Sequence, residues 1–398
     1  MTDGPRILVL GWEDALDESS LSGMPWNMRE ALARAGCSVD VVSVGILNKR
    51  AVPGIPWRAV RGSSLLRGIR VGIQGVYEDL RPSHVMRVME KNAVETAKQA
   101  DEAVRRCSPD VVFGPCMSRP IGFMETGTPI VYASDATATL LLDSYDTYRR
   151  RGSGWRDASL AFETAALARA DRIVMASERT RRSAIEDHQA DPDRVSVVPM
   201  GANVSIPEDQ VVRIPADPPT EDDLKLLLVA ADPERKRLGL CIKVARELRS
   251  RGWHATLNYV GPHRSTCSDE VVQWAGQLSL GNPEDRKIHH RLLRDSHVGI
   301  LPSRAEMFGI APVESAAFGR PSVVSDVGGL PTVVKDGVTG RLVPNGSPEK
   351  IWCDAIEAMI CKPDRYAEFS RNAYRRHEEE LNWSAWGQTV RGLIEQVL

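Results

Sequence analysis

The stretch from residue 298 to 344 constrains the fold of this chain more than any other. It opens with the apolar run VGILPS, which is typical of a buried strand in a parallel sheet. The loop RAEMFG follows, and then a helical pattern in which Pro312 suits the first turn and Gly319 suits the end. The order strand, loop, helix predicts an open α/β sheet.

The backbone N–H groups of Phe308, Gly309 and Ile310 come just ahead of the predicted helix N-terminus. Unpaired N–H groups and the helix dipole favour an anion at such a point. The sequence therefore predicts that a diphosphate binds there.

Two glutamates bracket this loop, and we expect Glu306 in the loop and Glu314 in the first turn of the helix. Their carboxylates therefore contact different parts of a small ligand. A carboxylate at a helix start can accept hydrogen bonds from two neighbouring hydroxyls, as an acid does for the ribose in other doubly wound folds, so Glu314 is the candidate for that contact. Glu306 is left to bind the hydroxyls of a transferred group. The alternative is that Glu314 is only a favourable first-turn acid and Glu306 a solvated loop residue.

The wider pattern resembles the retaining glycosyltransferases of family 4, whose signature is E-x7-E with Phe-Gly after the first acid and a later Gly-Gly turn. The resemblance implies the GT-B fold, in which two Rossmann-like doubly wound domains face a cleft and the second holds the donor. It also implies that Glu314 binds the ribose, whereas Glu306 and the backbone after Phe-Gly contact the donor sugar and phosphate. The matching residues are Glu306, Phe308, Gly309, Glu314, Gly319, Pro321, Ser325, Gly328, Gly329, Asp336, Gly337 and Gly340.

Composition limits the remaining possibilities. A chain of 398 residues, 42% of them hydrophobic, is long enough for two domains. The net charge of -2 argues against bulk nucleic-acid binding. The seven cysteines lack CxxC spacing, and the sequence has neither a signal-peptide core nor a long apolar run. We therefore expect a cytoplasmic protein, and peripheral contact with the inner face of a membrane stays open.

The domain organisation is expected as follows. An N-terminal acceptor-side domain occupies 1–205, a linker rich in proline and acids occupies 206–223, and a nucleotide-sugar domain occupies 224–375. By resemblance, the helical segment 376–398 packs back on the N-terminal domain.

The N-terminal domain opens with a βαβ pattern, in which Met28, Ala31 and Leu32 give the first helix an apolar face and Gly36 ends it. Gly23 precedes that helix and either lets the backbone approach a ligand or only makes a turn. By resemblance, Gly23 faces the donor phosphate or the acceptor. Asp135 stands where family members often carry a histidine, and it can hydrogen-bond an acceptor hydroxyl or the donor sugar.

Cations are predicted at the carboxyl edge of the second sheet. Arg235 and Lys236 follow its first strand, where they can neutralise a leaving diphosphate, or they are simply exposed basic residues. Family members typically have a lysine in an Arg-Lys-Gly segment, and here Arg237 replaces that glycine. Gly261 ends the next strand and is a plausible point of close nucleotide approach.

Three histidines, His289, His290 and His297, only superficially resemble a metal site, because neighbouring helical residues point in different directions. We expect them to be satisfied or solvated, and we expect neither a metal nor a cofactor beyond the nucleotide sugar.

Two basic segments interleave arginines with aromatic or apolar residues. One covers 49–71 and includes Arg58, Arg61, Arg67 and Arg70, and the other covers 148–156. Such segments can hold an anionic lipid or a phosphorylated acceptor, or they form a solvated face.

These observations predict a retaining glycosyltransferase, of the hexosyltransferase type, that needs no metal. Its donor is a UDP-, GDP- or similar nucleotide sugar, and its acceptor is a hydroxyl of a small molecule or of a lipid-linked glycan. Two alternatives stay open: a nucleotide-sugar epimerase or hydrolase of the same fold, and a non-catalytic GT-B partner protein.

Overall fold

The computed structural model describes residues 4–12, 23–45, 79–204, 213–263 and 265–398. The chain divides into two compact units. Unit 1 comprises Met1–Val198 and Gly387–Leu398, and unit 2 comprises Pro199–Trp386. Unit 1 therefore ends at Val198, whereas the sequence suggested residue 205.

The described part of the expected linker packs within unit 2. Ala216 is buried there, and its N–H donates a hydrogen bond to Ser370 Oγ at 2.8 Å. A buried backbone group needs such a partner, so this part of the chain is held by unit 2.

Unit 1 is built on a parallel sheet with the strands β1 (Arg6–Gly11), β2 (Ser38–Ser43), β3 (Val111–Pro115), β4 (Ile130–Ser134), β5 (Arg172–Met175) and β6 (Val195–Val197). The strand order is β2-β1-β3-β4-β5-β6. The central strand β3 is buried along its whole length, as expected where helices cover both faces of a parallel sheet.

The helices described in unit 1 are α1 (Met24–Arg34), α2 (Pro82–Cys107), α3 (Ser118–Ile121), α4 (Ala138–Ser144), α5 (Asp146–Arg149), α6 (Ser153–Arg169) and α7 (Glu178–Glu186). The predicted apolar face of α1 is confirmed, because Met28, Ala31 and Leu32 are buried. Gly36 lies just beyond α1 with φ 89°, a conformation that glycine adopts readily.

Unit 2 contains a second parallel sheet with the strands β7 (Leu224–Val229), β8 (Ala255–Val260), β9 (Val272–Trp274), β10 (Val298–Leu301), β11 (Ser322–Ser325) and β12 (Gly340–Val343). Its order is β12-β11-β10-β7-β8-β9. The predicted buried strand after residue 297 is confirmed as β10.

The helices described in unit 2 are α8 (Leu238–Ser250), α9 (Pro283–Asp295), α10 (Ile310–Ala317), α11 (Leu330–Val333), α12 (Glu349–Ile360) and α13 (Pro363–Glu379). The last helix is α14 (Trp383–Glu395), whose residues from Gly387 onward belong to unit 1. Within unit 1, Arg391 Nη1 donates to the carbonyl of Ala35 at 2.5 Å. Among the described helices, none combines the length and the apolar character needed to cross a bilayer.

Each sheet reverses its strand order at one point. In unit 1 the reversal falls between β1 and β3, and in unit 2 it falls between β7 and β10. Ligands of open α/β sheets bind beyond the carboxyl ends of the strands at such a switch point. The expected class of two doubly wound α/β domains is thus confirmed, and the topology points to the ends of β7 and β10.

Candidate active site

Two chain segments meet at the switch point of unit 2. Because β7 and β10 are paired, the segment after β7 and the loop after β10 emerge side by side. The first segment carries Arg235 and Lys236, and the second carries Glu306. The N–H of Arg304 donates to the carbonyl of Arg235 at 2.9 Å, which joins the two segments directly.

Glu306 is held by two cations and a hydroxyl. Its Oε2 lies 3.1 Å from Arg235 Nη1 and 3.9 Å from Lys236 Nζ. The same oxygen accepts a hydrogen bond from Ser303 Oγ at 3.1 Å. Only 12% of the Glu306 side chain is exposed, which does not fit a solvated loop residue. We call Glu306, Arg235 and Lys236 the charge cluster.

The two cations of the charge cluster are also tied to backbone carbonyls. Arg235 Nη1 donates to Ala305 O at 2.5 Å, and Lys236 Nζ donates to Val229 O at 3.3 Å. Their side chains are 21% and 14% exposed, so neither is a simple surface cation. Both positive charges are therefore held in place at the carboxyl edge of the sheet.

Arg237 adopts the left-handed conformation, with φ 53°, at the start of α8. Glycine takes this conformation at little cost, whereas other L residues rarely do. The geometry gives a physical reason for a glycine at this place in the Arg-Lys-Gly motif. In this chain the arginine side chain is anchored instead, because its Nη2 donates to Asn345 Oδ1 at 2.9 Å.

The N-terminus of α10 lies directly after the Glu306 loop. Gly309 caps the helix with φ 102°, and no side chain caps it. The first-turn N–H groups are donors without carbonyl partners inside the helix, which favours an anion at this point. Phe308 is buried, so its contribution to a ligand would come from its backbone.

Two glycines fix the backbone of the Glu306 loop. A Cβ atom on Gly328 would lie 1.6 Å from the carbonyl oxygen of Glu306, and one on Gly329 would lie 2.2 Å from that of Met307. The N–H of Gly329 donates to the Glu306 carbonyl at 3.3 Å. The Gly-Gly turn therefore approaches the loop more closely than any other residue type would allow.

Glu314 lies deeper in α10 than the sequence suggested. The helix begins at Ile310 because Gly309 ends the loop, and its first turn contains no acid, so the predicted first-turn placement is wrong. The Glu314 carboxyl is buried, and its Oε2 lies 3.4 Å from His289 Nε2. Burial raises the pKa of Glu314 to about 8, although the charge of Lys236 acts in the opposite direction.

The three histidines are all buried, so the solvated alternative is wrong for each of them. His297 is satisfied, because its Nδ1 accepts the N–H of Lys225 at 2.9 Å. The Nε2 atoms of His289 and His290 have no hydrogen-bond partner among the described residues. No group of three or more His, Cys, Asp or Glu residues placed to hold a metal ion occurs in the described ranges.

Gly261 has a packing role at the end of β8. A Cβ atom there would lie 2.3 Å from the carbonyl of Ala230 and 2.5 Å from the Tyr259 hydroxyl. The Trp274 indole also donates to the Gly261 carbonyl at 2.9 Å. These contacts explain the glycine without a ligand, and its approach to a nucleotide stays a prediction.

The other two predicted site residues, Gly23 and Asp135, belong to unit 1. Gly23 is buried and caps α1 with φ 76°. Asp135 follows β4, its side chain is partly buried, and its carbonyl accepts the Thr180 hydroxyl at 2.8 Å. Both lie at the carboxyl edge of the unit 1 sheet, and their contacts with substrate stay predictions.

Both units of the chain match known families. A model described as "Glycosyl transferase 4-like domain" matches residues 25–201, and one described as "Glycosyl transferases group 1" matches residues 223–362. The chain belongs to glycosyltransferase family 4. The predicted family is thereby confirmed over both units.

Curated relatives support the assignment to family 4. The D-inositol 3-phosphate glycosyltransferase of Rhodococcus jostii is 28% identical over 251 residues, which cover 58% of this chain and 53% of the relative. The protein of the same name from Mycobacterium avium is 26% identical over 222 residues, which cover 54% and 52%. The matches span about half the length of these relatives.

Solved structures show that this family 4 chain has the GT-B fold. Sucrose-phosphate synthase from Thermosynechococcus elongatus superimposes with a TM-score of 0.66 at 17% identity, covering 99% of each chain. The Anabaena HepE complex with UDP gives a TM-score of 0.62 at 12% identity, covering 98% of this chain and 100% of that one.

Sequence reasoning missed two buried acid contacts in this family 4 chain. One is the pair of His289 and Glu314 described above. The other lies in unit 1, where the Tyr132 hydroxyl donates to Glu163 Oε1 at 2.9 Å and burial raises the pKa of Glu163 to about 7. The available signal for Glu163 was an acid within the apolar helical pattern that includes Phe162, Ala166 and Leu167.

The glycine contact predicts that Gly328→Ala is unusually damaging. Gly337→Ala is the matched control, because Gly337 also has a positive φ but has open space around its Cα. The control should lose about 1–2 kcal/mol of unfolding free energy from the backbone conformation alone. Gly328→Ala should lose about 1–3 kcal/mol more, because the added methyl group displaces the Glu306 loop. Urea unfolding of both variants measures the difference, and equal losses would contradict the proposed contact.

Proposed function

We propose that this chain is a retaining glycosyltransferase that moves a sugar from a nucleoside diphosphate sugar to an acceptor hydroxyl. The charge cluster at the switch point of unit 2, beside the N-terminus of α10, is the observation that carries this proposal. A carboxylate suits the hydroxyls of the sugar. The two cations and the helix N-terminus suit the diphosphate.

The charge cluster suggests how the leaving group is stabilised. Arg235 and Lys236 lie against Glu306. The diphosphate oxygens would take over these cations, and negative charge on them grows as the sugar–phosphate bond breaks. The cations therefore stabilise the transition state more than the bound donor, and each well-placed group contributes about 3–4 kcal/mol.

In this mechanism, Arg235 and Lys236 bind the phosphate oxygens in place of Glu306, and the Glu306 carboxylate becomes available to the sugar. Its oxygens then accept hydrogen bonds from the sugar hydroxyls. The bond from the anomeric carbon to phosphate oxygen breaks and a bond to the acceptor oxygen forms on the same face. The departing phosphate takes the acceptor proton. Because the new bond forms on the face from which the phosphate leaves, the anomeric configuration is preserved.

We also propose that this transfer needs no divalent metal. Arg235 and Lys236 supply positive charge where a metal would otherwise neutralise the diphosphate. Both also bind backbone carbonyls, which keep them at the carboxyl edge of the sheet while their contacts with Glu306 are exchanged for phosphate oxygens.

For the substrates, we propose UDP as the nucleotide and a phosphorylated polyol as the acceptor. The UDP proposal rests on the similar fold of the HepE complex, and the acceptor proposal rests on the names of the curated relatives. A lipid-linked glycan is the competing acceptor. We place the reaction in the cytoplasm, with which seven cysteines that lack CxxC spacing are consistent.

A basic and aromatic surface of unit 1 is our candidate for the acceptor phosphate. The rings of Tyr148 and Trp155 stack at 5.9 Å, and the Arg151 guanidinium lies 4.2 Å from the Trp155 ring centre. The exposed arginines of this surface are Arg149, Arg150 and Arg156. The other basic segment, residues 49–71, lies outside the described residues.

Lys236→Ala should lower turnover by about 100-fold, because the lysine matters most as phosphate departs. Donor KM should change far less. Lys243→Ala, on the exposed face of α8, is the control and should keep wild-type rates. Initial rates with a UDP-sugar, measured with and without EDTA, test the role of Lys236 and of metal together. Loss of wild-type activity in EDTA that a divalent ion restores would contradict the metal-free mechanism.

Glu314→Gln should weaken UDP binding by about 10- to 100-fold, since the carboxylate is proposed to accept two ribose hydroxyls. The ionised form binds the ribose, so its pKa must fall on binding. Wild-type protein should then release a proton at pH values below about 8, and this release should vanish in the variant. Calorimetry in buffers of different ionisation enthalpy measures both quantities.

Glu163→Gln is the control, because Glu163 is a buried acid of unit 1. If the proton release persists in Glu314→Gln, Glu314 does not belong to the ribose site.

Replacing Arg149, Arg150 and Arg156 together by Gln should raise the KM for a phosphorylated acceptor several-fold, with a smaller effect at high salt. Hydrolysis of donor in the absence of acceptor should stay at the wild-type rate. Acceptor kinetics and sedimentation with phosphatidylglycerol vesicles are measured side by side. If the triple variant loses vesicle binding but keeps the wild-type acceptor KM, this surface binds a membrane and not the acceptor.

A further inference from the structure

An unusual contact joins α9 to α10 behind the charge cluster. His289 Nε2 lies 3.4 Å from Glu314 Oε2, and the two side chains are only 3% and 4% exposed. The histidine nitrogen has no hydrogen-bond partner among the described residues. A buried polar atom without a partner costs free energy, so this atom calls for an explanation.

The charged and titratable groups that act on this pair come from α9 and from the segment before α8. Lys236, from the segment before α8, favours the ionised form of Glu314. On α9 itself, His290 disfavours a charge on His289, and Arg286 does the same to His290. Burial raises the pKa of Glu314 to about 8 and lowers that of His289 to about 4. Near pH 7 the imidazole is therefore neutral, and much of Glu314 carries a proton when no ligand is bound.

We propose that His289 is a positioning residue for the nucleotide, whose Nε2–H donates to Glu314 Oε2 when that carboxylate ionises to receive the ribose hydroxyls. The inference rests on the proposed function, because it assigns Glu314 to the ribose. It adds a residue for which the family motif has no role. The hydrogen bond would hold one oxygen of the carboxylate and leave the remaining lone pairs for the two hydroxyls.

The proposal has a consequence for proton balance. Nucleotide binding ionises Glu314 and releases its proton, and the histidine offsets part of the cost of a buried negative charge. Replacing His289 by a residue that cannot donate a hydrogen bond leaves the Glu314 carboxylate without this partner. Nucleotide affinity should then fall, and binding should require a higher pH.

The neighbouring histidine provides a matched control. His290 is also buried, and its Nε2 also lacks a hydrogen-bond partner among the described residues. Its ring packs beside Phe318 at a centroid distance of 5.8 Å. Substituting either histidine by Phe therefore replaces a buried imidazole by an apolar ring on the same helix, but only His289→Phe removes an N–H group beside Glu314.

The test is the affinity for UDP, measured by calorimetry over a range of about pH 6 to pH 9, with thermal unfolding as a check on folding. His289→Phe should bind UDP about tenfold more weakly at pH 7, the loss expected for one hydrogen bond to a charged group, and the midpoint of its pH dependence should rise. His289→Gln, whose amide can still donate, should stay close to wild type, as should His290→Phe. If His289→Phe fails to fold, His289→Leu replaces it.

Each outcome decides between the proposals. Unchanged affinity and midpoint in His289→Phe would overturn the role of His289. An equal loss in His289→Gln would overturn it too, because the loss would then not depend on a donated hydrogen bond. Wild-type protein that binds none of UDP, GDP and ADP would instead contradict the proposed function itself.

Discussion

The contact of the partly buried Glu306 carboxylate with two cations is the interaction on which the site of unit 2 depends. Glu306 contacts Arg235 and Lys236 with little access to water, and such contacts are stronger there than at an exposed surface. The loop that carries Glu306 is fixed from behind by Gly328 and Gly329. Charge and backbone therefore constrain each other, since a shift of the loop would separate the carboxylate from its cations.

The second acid of the site, Glu314, has a different environment from Glu306. Glu314 is buried with one neutral histidine beside it, and its pKa is raised from 4.5 to about 8. A raised pKa means that the folded chain holds this proton more tightly than the unfolded chain does. Without ligand, this group makes the fold less stable as the pH rises from about 4.5 toward 8. A nucleotide that supplies hydroxyl donors to the carboxylate would relieve that cost.

Sequence patterns predicted the local parts of this structure well. The strand β10, the loop with Phe308 and Gly309, and the place of Lys236 after β7 at the carboxyl edge of the sheet follow from apolar runs, glycine positions and parallel-sheet topology. The contact between His289 and Glu314 depends on which faces of two helices pack together, and periodicity does not encode this. The end of unit 1 was likewise set by packing rather than by the proline-rich composition that suggested a linker.

Hydrogen–deuterium exchange with and without nucleotide locates the nucleotide site without assuming a sugar or an acceptor. Protein is incubated with UDP, GDP or ADP, and the protection of backbone amides is measured by mass spectrometry. We predict that at least one of them, with UDP expected first, protects the peptides that cover residues 303–314 and 326–334. Protection by none of the three, or protection confined to other parts of the chain, would contradict the assignment of the charge cluster and the α10 N-terminus to a nucleoside diphosphate.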